Sequence, residues 1–174
     1  MNGEGVKKMD ILFDRKSCRS YKPDEIPQED LNYILHAGMS SPSAYNTRHW
    51  SFIIVKNKET HKKIMQIHQA SKMLENAPVA VIVCADLEKQ YKGYWQQDCA
   101  ASTENMLLAA TAKGYGSVWC GIFPVEERVK NFTELFKLPE NIVPFSLVVI
   151  GKAAEEKPAK ERWDSSKIKY EIWQ

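Results

Sequence analysis

The sequence of 174 residues has no apolar run long enough to span a membrane. The longest run, residues 79–85, falls far short of the ~18 residues that a span needs. No apolar stretch follows the N-terminal lysines, as a signal peptide would require. The four cysteines include no Cys-x-x-Cys pair. We therefore expect reduced thiols in a cytoplasmic protein with no membrane partner.

The sequence also lacks a strong excess of either charge. Its 24 Lys and Arg stand against 22 Asp and Glu, which excludes the protein-wide basic field of a nucleic-acid-binding protein. The small surplus sits at the two ends: residues 1–23 carry +3, residues 24–150 carry −2 and residues 151–174 carry +1. This distribution is compatible with a small anion that both ends of the chain bind together.

Several familiar site motifs are missing as well. The four histidines form no His-Glu-x-x-His motif, and no Cys/His cluster has zinc spacing, so we expect no metal. Neither a Gly-x-Ser-x-Gly elbow nor a Gly-x-Gly-x-x-Gly loop is present. Cys120 stands at the end of a predicted strand, where active residues occur, but we favour a buried, inert thiol.

Helical and strand patterns alternate along the chain. Helices are predicted at residues 27–39, 59–68, 98–113 and 125–136, and strands at residues 52–55, 79–85, 117–120 and 145–150. Strand 79–85 is apolar without alternation, which indicates that both of its faces are covered. Helix 98–113 is apolar nearly all round, which places it in the interior or in an interface. We predict one layered domain over residues 1–174, with a mixed sheet between helices.

The tail, residues 152–174, is charged, yet it also carries Trp163, Tyr170 and Trp173. A merely solvated tail rarely has so much aromatic surface, so we expect it to pack on the body or on a second subunit. Residues 15–20 combine three cations with two serine hydroxyls, a set that suits a phosphate group. Taken alone, this run, the loop 41–46 and the run 160–162 each have a simpler explanation as solvated surface.

Together these segments resemble the flavin-dependent nitroreductase family in order, spacing and context. Residues 15–21, RKSCRSY, are similar to the family's RxSxRxF opening. Residues 42–50, PSAYNTRHW, are similar to its PSxxNxQPW motif, with Arg48-His49 in place of the usual Gln-Pro. The resemblance extends over about residues 9–170, through three further segments: 71–78, 98–119 and 150–162.

The resemblance implies an α+β fold and an intertwined homodimer that binds FMN at its interface. It implies that ribityl and phosphate oxygens are held by Arg15, Lys16, Ser17 and Arg19, and that the phosphate is closed off by Lys160 and Arg162. The other subunit would supply Pro42, Ser43, Ala44 and Asn46. At the ring, the resemblance implies that Lys72 reaches the pyrimidine edge and that N5 and O4 of the flavin face backbone N–H groups of Cys120, Gly121 and Ile122. The tail 152–174 would pack on this dimer.

The implied activity is oxidation of NAD(P)H through the flavin, with a nitroaromatic, quinone or similar small acceptor, by a ping-pong mechanism. The flavin N5 would do the chemistry, so no catalytic side chain is expected. Two other classes stay open at this point: an FMN carrier or sensor without dedicated turnover, and an interaction protein whose aromatic tail binds a partner. A flavin spectrum excludes the last class, and NAD(P)H oxidation faster than by free flavin excludes the carrier.

Overall fold

The computed structural model describes residues 10–155 and 158–173. Within these ranges, five α-helices and four β-strands alternate along the chain: α1 Ile11–Asp14, α2 Gln28–Met39, β1 Trp50–Val55, α3 Lys58–Ile67, β2 Val79–Asp86, α4 Trp95–Ala112, β3 Gly116–Gly121, α5 Glu126–Phe136 and β4 Ile142–Gly151. Short 3₁₀ turns lie at Ala44–Asn46, Gln69–Glu75 and Ser165–Lys167. In the described parts, every helix is too short or too polar to cross a bilayer.

The four strands form one sheet in the order β1-β2-β4-β3. The α+β class is confirmed, but the pairing corrects the expected mixed sheet, because all three neighbouring strand pairs are antiparallel. Alternating helices and strands suggested parallel crossovers, whereas here the chain reverses direction between paired strands. The parallel contact that the structure does contain is an isolated bridge between Ser17 and Ser117.

The central strand β2 is buried at all eight positions, as its unbroken apolar run predicts. Val79, Val81 and Val83 belong to the cluster that includes side chains of α2 and α4. Ala80 and Ile82, which alternate with them, belong to the cluster that includes side chains of α3 and α5. The sheet therefore lies between two helical layers, each with its own apolar core.

Helix α4 is the long interior helix, as its apolar surface predicts, although it begins three residues earlier than expected. It packs closely on α2, because a β-carbon at Gly38 would lie 2.5 Å from Met106 Cε. Its end is marked by Gly114, whose φ of +76° is the left-handed conformation that glycine adopts without strain. Gly114 thus ends α4 one residue after the predicted helix 98–113, and Gly116 already begins β3.

From residue 158 onward, the described part of the tail does not pack on the body of its own chain. Every described residue from 158 to 173 is exposed, including Trp163 at 75% and Trp173 at 87%. This removes one of the two expected positions for the tail. Packing on a second subunit stays a prediction.

Two buried histidines donate hydrogen bonds to backbone carbonyls on the α3 side of the sheet. His61 Nε2 lies 3.0 Å from the carbonyl oxygen of Val55, and His68 Nε2 lies 3.0 Å from that of Gly121. Burial lowers the pKa of both imidazoles below the ordinary 6.5. The fold therefore favours their neutral forms.

We expect the folded protein to lose stability as the pH falls from 6.5 through the lowered pKa values of His61 and His68. The reason is linkage: in that window the unfolded chain binds protons that the folded chain does not, whereas above pH 6.5 the full stabilisation is present. Thermal unfolding at about pH 7.5 and about pH 5.5 measures the loss. His61→Gln keeps an N–H donor without titrating and should reduce the pH dependence.

The matched control for this experiment is His36→Gln, at an exposed histidine of α2. Between the two pH values, the unfolding temperature of the control should drop as far as that of the wild type. If the unfolding temperature of His61→Gln drops equally far, burial of His61 is not a source of the acid sensitivity.

Candidate functional site

The basic segment near the N-terminus is fixed along the outer edge of β3 and the end of β4. The Cys18 N–H donates to the Ser117 carbonyl at 2.8 Å, and the Lys22 N–H donates to the Lys152 carbonyl at 2.9 Å. The Tyr21 hydroxyl donates to the Cys18 carbonyl at 2.7 Å and also lies 3.2 Å from the Val149 carbonyl oxygen. This edge pairing gives residues 17–22 a defined backbone course.

Two glycines of the sheet make room for that segment. A β-carbon at Gly116 would lie 2.7 Å from both Cβ and Sγ of Cys18. One at Gly151 would lie 2.7 Å from Pro78 Cδ and 3.0 Å from Tyr21 Cδ1. The 2.7 Å contacts do not occur in proteins, so the docked course of the segment depends on glycine at residue 116, whereas glycine at residue 151 is required first by Pro78 and leaves little room beside Tyr21.

The cationic side chains of the segment are placed at the surface. Lys16, Ser17 and Arg19 are exposed, and Arg15 is half-buried beside α4. Arg15 Nε pairs with Glu104 Oε1 at 3.2 Å, and the guanidinium has further donors on its two Nη atoms. The segment therefore presents an exposed set of cations and a hydroxyl, which is suited to an anionic group.

The loop 42–49 is held by the buried carboxylate of Asp98 on α4. Asp98 Oδ1 accepts the Ala44 N–H at 3.1 Å, and Oδ2 accepts a hydrogen bond from His49 Nε2 at 3.0 Å. The His49 carbonyl accepts the Asp86 N–H at 2.9 Å, which ties the same loop to β2. His49 thus gives a structural reason for the departure from Gln-Pro: it anchors the loop through its side chain.

The part of this loop that matched the sequence motif has an unusual backbone. Tyr45, Asn46 and Arg48 have φ values of +53°, +56° and +46°. The Ser43 hydroxyl accepts the Arg48 N–H at 3.0 Å and braces the turn. Left-handed non-glycine residues are concentrated at functional sites, where the surroundings hold them in place. Pro42 and Asn46 are exposed, and Ser43 and Ala44 are half-buried.

A third group of predicted residues meets where β3 ends. Cys120 is buried, and its Sγ lies 3.6 Å from the Ala70 carbonyl oxygen in the 3₁₀ turn that also carries the exposed Lys72. Burial raises the pKa of the Cys120 thiol, and the nearby positive charges of Arg19 and Arg128 oppose this only partly. The thiol is therefore protonated near neutral pH, as expected for an inert cysteine.

The backbone N–H groups at this strand end are not equivalent, which corrects one expectation. The Ile122 N–H donates to the Phe145 carbonyl at 3.1 Å, so it is used by the sheet and does not face a ligand. Bonding directions alternate along an antiparallel pair, so Cys120, like Ile122, turns its N–H towards β4, whereas the Gly121 N–H and carbonyl point to the outer edge. Of the three predicted N–H groups, only that of Gly121 keeps its predicted role.

The structure has room for a side chain at Gly121. A β-carbon there would come no closer than 3.7 Å to another atom, the Phe123 carbonyl oxygen, and its φ is not left-handed. Neither packing within the chain nor backbone conformation therefore requires glycine at this position. A bound ring that approaches the backbone does require it, so the site fits a planar cofactor such as flavin at this edge.

The remaining predicted residues, Lys160 and Arg162, lie on the exposed tail. The Glu161 carboxylate between them accepts the Arg162 and Trp163 N–H groups, each at 2.7 Å, and these bonds lower its pKa. Sequence reasoning missed other features of the loop 42–49. The Tyr45 and Tyr91 rings pack with centroids 4.0 Å apart and planes tilted by 34°, beside a surface cavity of about 470 Å³ that is lined by Ala44, Tyr45, Tyr91, Lys92 and Tyr94.

Sequence reasoning also missed His68 and Arg128, which both donate to the Gly121 carbonyl. A side chain that bonds to a distant carbonyl leaves no periodic signal in the sequence. Within residues 10–155 and 158–173, no group of three or more His, Cys, Asp and Glu side chains is arranged to hold a metal ion.

The sequence of this chain is similar to those of a known protein family. The sequence model of the nitroreductase family matches residues 12–96 and 67–152. A relative from Methanothermobacter thermautotrophicus, named provisionally as an NADH dehydrogenase/NAD(P)H nitroreductase, is 43% identical over 97% of this chain and 90% of its own length.

Solved structures show the same fold. An FMN-dependent nitroreductase from Clostridium difficile R20291 is 30% identical, with a TM-score of 0.87, over 94% of this chain and 98% of that one. An NADH dehydrogenase/NAD(P)H nitroreductase, so named provisionally, from Bacteroides thetaiotaomicron is 35% identical, with a TM-score of 0.91, over 97% of this chain and 99% of that one. By sequence and by structure, the chain belongs to the nitroreductase family.

Proposed function

We propose that two copies of this chain bind FMN between them and transfer a hydride from NAD(P)H through the flavin to a small acceptor, such as a nitroaromatic or a quinone. The observation that carries the proposal is the outer edge of β3. The exposed donors of residues 15–19 dock at one end of it, beside Ser117, and the uncrowded Gly121 stands at the other. Relatives named as FMN-dependent or NAD(P)H-dependent enzymes support the same assignment.

Each part of the site has a distinct task in this proposal. Arg15, Lys16, Ser17 and Arg19 hold ribityl and phosphate oxygens, and Lys160 and Arg162 of the tail close on the phosphate. The loop with Pro42, Ser43, Ala44 and Asn46 is supplied by the second copy and packs against the ring. Lys72 reaches the pyrimidine edge, and the Gly121 N–H, next to Cys120, faces N5.

Bound FMN would accept the hydride of NAD(P)H, two electrons and one proton, and return two electrons to the acceptor. The chain contributes binding, orientation and charge. Cations near the reduced ring stabilise its anionic form, and the buried Cys120 thiol takes no part in proton or electron transfer.

Arg15→Ala and Arg162→Ala are each expected to weaken FMN binding by ~10- to 150-fold, the effect of losing one charge-assisted hydrogen bond of ~1.5–3 kcal/mol. Riboflavin lacks the phosphate, so both variants should bind it about as well as the wild type does. Titration with each flavin, followed by fluorescence, gives the two dissociation constants. Lys62→Ala is the control, since it removes an exposed charge of α3 outside the proposed site.

If riboflavin binding falls as far as FMN binding, these arginines act on folding and not on the phosphate.

Deletion of residues 155–174 is expected to abolish the dimer and FMN binding together. The removed segment carries the exposed Trp163 and Trp173 as well as Lys160 and Arg162, so one change removes both interface and phosphate contacts. Light scattering gives the mass, and absorbance in the visible range gives the bound flavin. A folded wild-type monomer of 20.0 kDa that retains FMN would contradict the proposal.

Steady-state kinetics should give parallel double-reciprocal lines for NAD(P)H and acceptor. The chain has no Gly-x-Gly-x-x-Gly loop for a separate dinucleotide site, so both substrates must use the same place over the flavin in turn.

Cys120→Ala should keep most activity, because only the backbone near residue 120 is assigned a role. Intersecting lines, or loss of flavin reduction in Cys120→Ala with FMN still bound, would exclude this mechanism. A rate no faster than that of free flavin would indicate a carrier or sensor.

A further inference from the structure

The carbonyl of Gly121 accepts two hydrogen bonds from side chains of two different elements. His68 Nε2, which follows α3, lies 3.0 Å from this oxygen, and Arg128 Nη1, in α5, lies 2.9 Å from it. A carbonyl oxygen has two lone pairs, and both are used here. Because Arg128 is charged, its bond is of the stronger, charge-assisted kind.

The surroundings of His68 keep its Nε2 atom protonated as a hydrogen-bond donor. Its imidazole is 1% exposed and meets the edge of Phe132 in α5, with the ring centroids 6.2 Å apart. Its Nδ1 atom is buried and has no hydrogen-bond partner among the described residues, which suits the neutral ring with its proton on Nε2. The backbone around it is also fixed, since the Ser71 hydroxyl donates to the His68 carbonyl at 2.7 Å.

Such a double restraint matters at Gly121 because glycine restrains its own backbone least of all residues. The strand ends here, and the next residue, Ile122, already bonds back to β4. The Gly121 carbonyl and the Ile122 N–H belong to one peptide unit, so the two donors and the bond to Phe145 hold that unit from opposite sides. The Gly121 N–H belongs to the preceding peptide unit, and the torsion angles of Gly121 set its direction relative to the carbonyl, so a firmly held carbonyl narrows the directions open to the N–H.

We infer that His68 and Arg128 are positioning residues for the flavin: they hold the Gly121 carbonyl so that its N–H is directed at N5, and Arg128 adds a positive charge behind that contact. This inference rests on the proposed function. A well-directed N–H and a nearby cation both favour the reduced, anionic ring over the oxidised one. The pair therefore raises the flavin midpoint potential, beyond any contribution to folding.

The test measures the midpoint potential and visible spectrum of the FMN-bound protein, together with the FMN dissociation constant. Arg128→Met should lower the reduced-to-oxidised ratio at a given potential by ~10-fold, which is about 30 mV for a two-electron couple. His68→Leu should shift the potential in the same direction and change the flavin absorption band. Because the phosphate contacts are intact, FMN affinity should change much less than in Arg15→Ala.

Conservative variants separate positioning from a purely structural role. His68→Gln and Arg128→Lys each keep a donor and should restore most of the potential. The matched control is Lys130→Met, which removes an exposed charge from the same helix, two residues from Arg128. It should leave the potential unchanged.

The outcomes distinguish the two levels of the proposal. Wild-type protein that binds no FMN overturns the proposed function and this inference with it. FMN-bound His68→Leu and Arg128→Met with wild-type potentials overturn only the inference. An equal shift in Lys130→Met also overturns it, because it would assign the effect to net charge. If one of these two variants does not fold, the other is still compared with its conservative counterpart: His68→Leu with His68→Gln, or Arg128→Met with Arg128→Lys. Equal midpoint potentials within that pair overturn the inference.

Discussion

The antiparallel pairing of β2 with β4 is the constraint on which the rest of the structure depends. Both strands lie in the middle of the sheet, and β2 is buried along its full length. Their backbone polar groups are paired within the sheet, and their apolar side chains point to both faces, so both faces must be covered by helices. This leaves the two edges, β1 and β3, as the places where backbone groups are free to bind something else.

The edge at β3 is only partly closed by its own chain. Residues 17–22 pair with it near Ser117, on a course that Gly116 and Gly151 permit, and this pairing brings the cationic segment to the sheet. Gly121, four residues further along, is about 13 Å away at ~3.3 Å per residue. The fold therefore holds a set of cations and a backbone donor at a fixed separation on one edge, which is an arrangement suited to a ligand with an anionic end and a planar end.

The loop 42–49 shows how the fold holds a backbone that is locally unfavourable. Left-handed residues such as Tyr45 and Arg48 cost on the order of 1–3 kcal/mol each. Hydrogen bonds to a charged group contribute about 1.5–3 kcal/mol each, and Asp98 accepts two from this loop. Three such residues, Tyr45, Asn46 and Arg48, cost ~3–9 kcal/mol together against ~3–6 kcal/mol from the two bonds, so the Asp98 carboxylate offsets much of the cost of the loop shape.

The sequence predicted the parts of this molecule that depend on local pattern. The unbroken apolar run of β2 indicated burial on both faces, and Gly114 indicated the end of α4. Strand direction was wrong, because hydrophobic periodicity shows which face is buried but not which way a neighbouring strand runs. The donors on the Gly121 carbonyl were missed for a related reason: His68 and Arg128 reach it only through the packing of α3 and α5.

The exposed tail is the part of the fold that bears most directly on the proposed dimer. Aromatic residues gain most of their stabilisation from burial, whereas the described part of this chain leaves Trp163 75% and Trp173 87% exposed. Lys160 and Arg162 lie on the same segment, so in the proposed dimer the contacts that order the tail also deliver cations to the phosphate. Association and cofactor binding would then stabilise one another by mass action, because each favours the same ordered tail. In the proposed dimer the site is built from two copies, with the outer edge of β3 from one and the loop that carries Pro42 and Asn46 from the other.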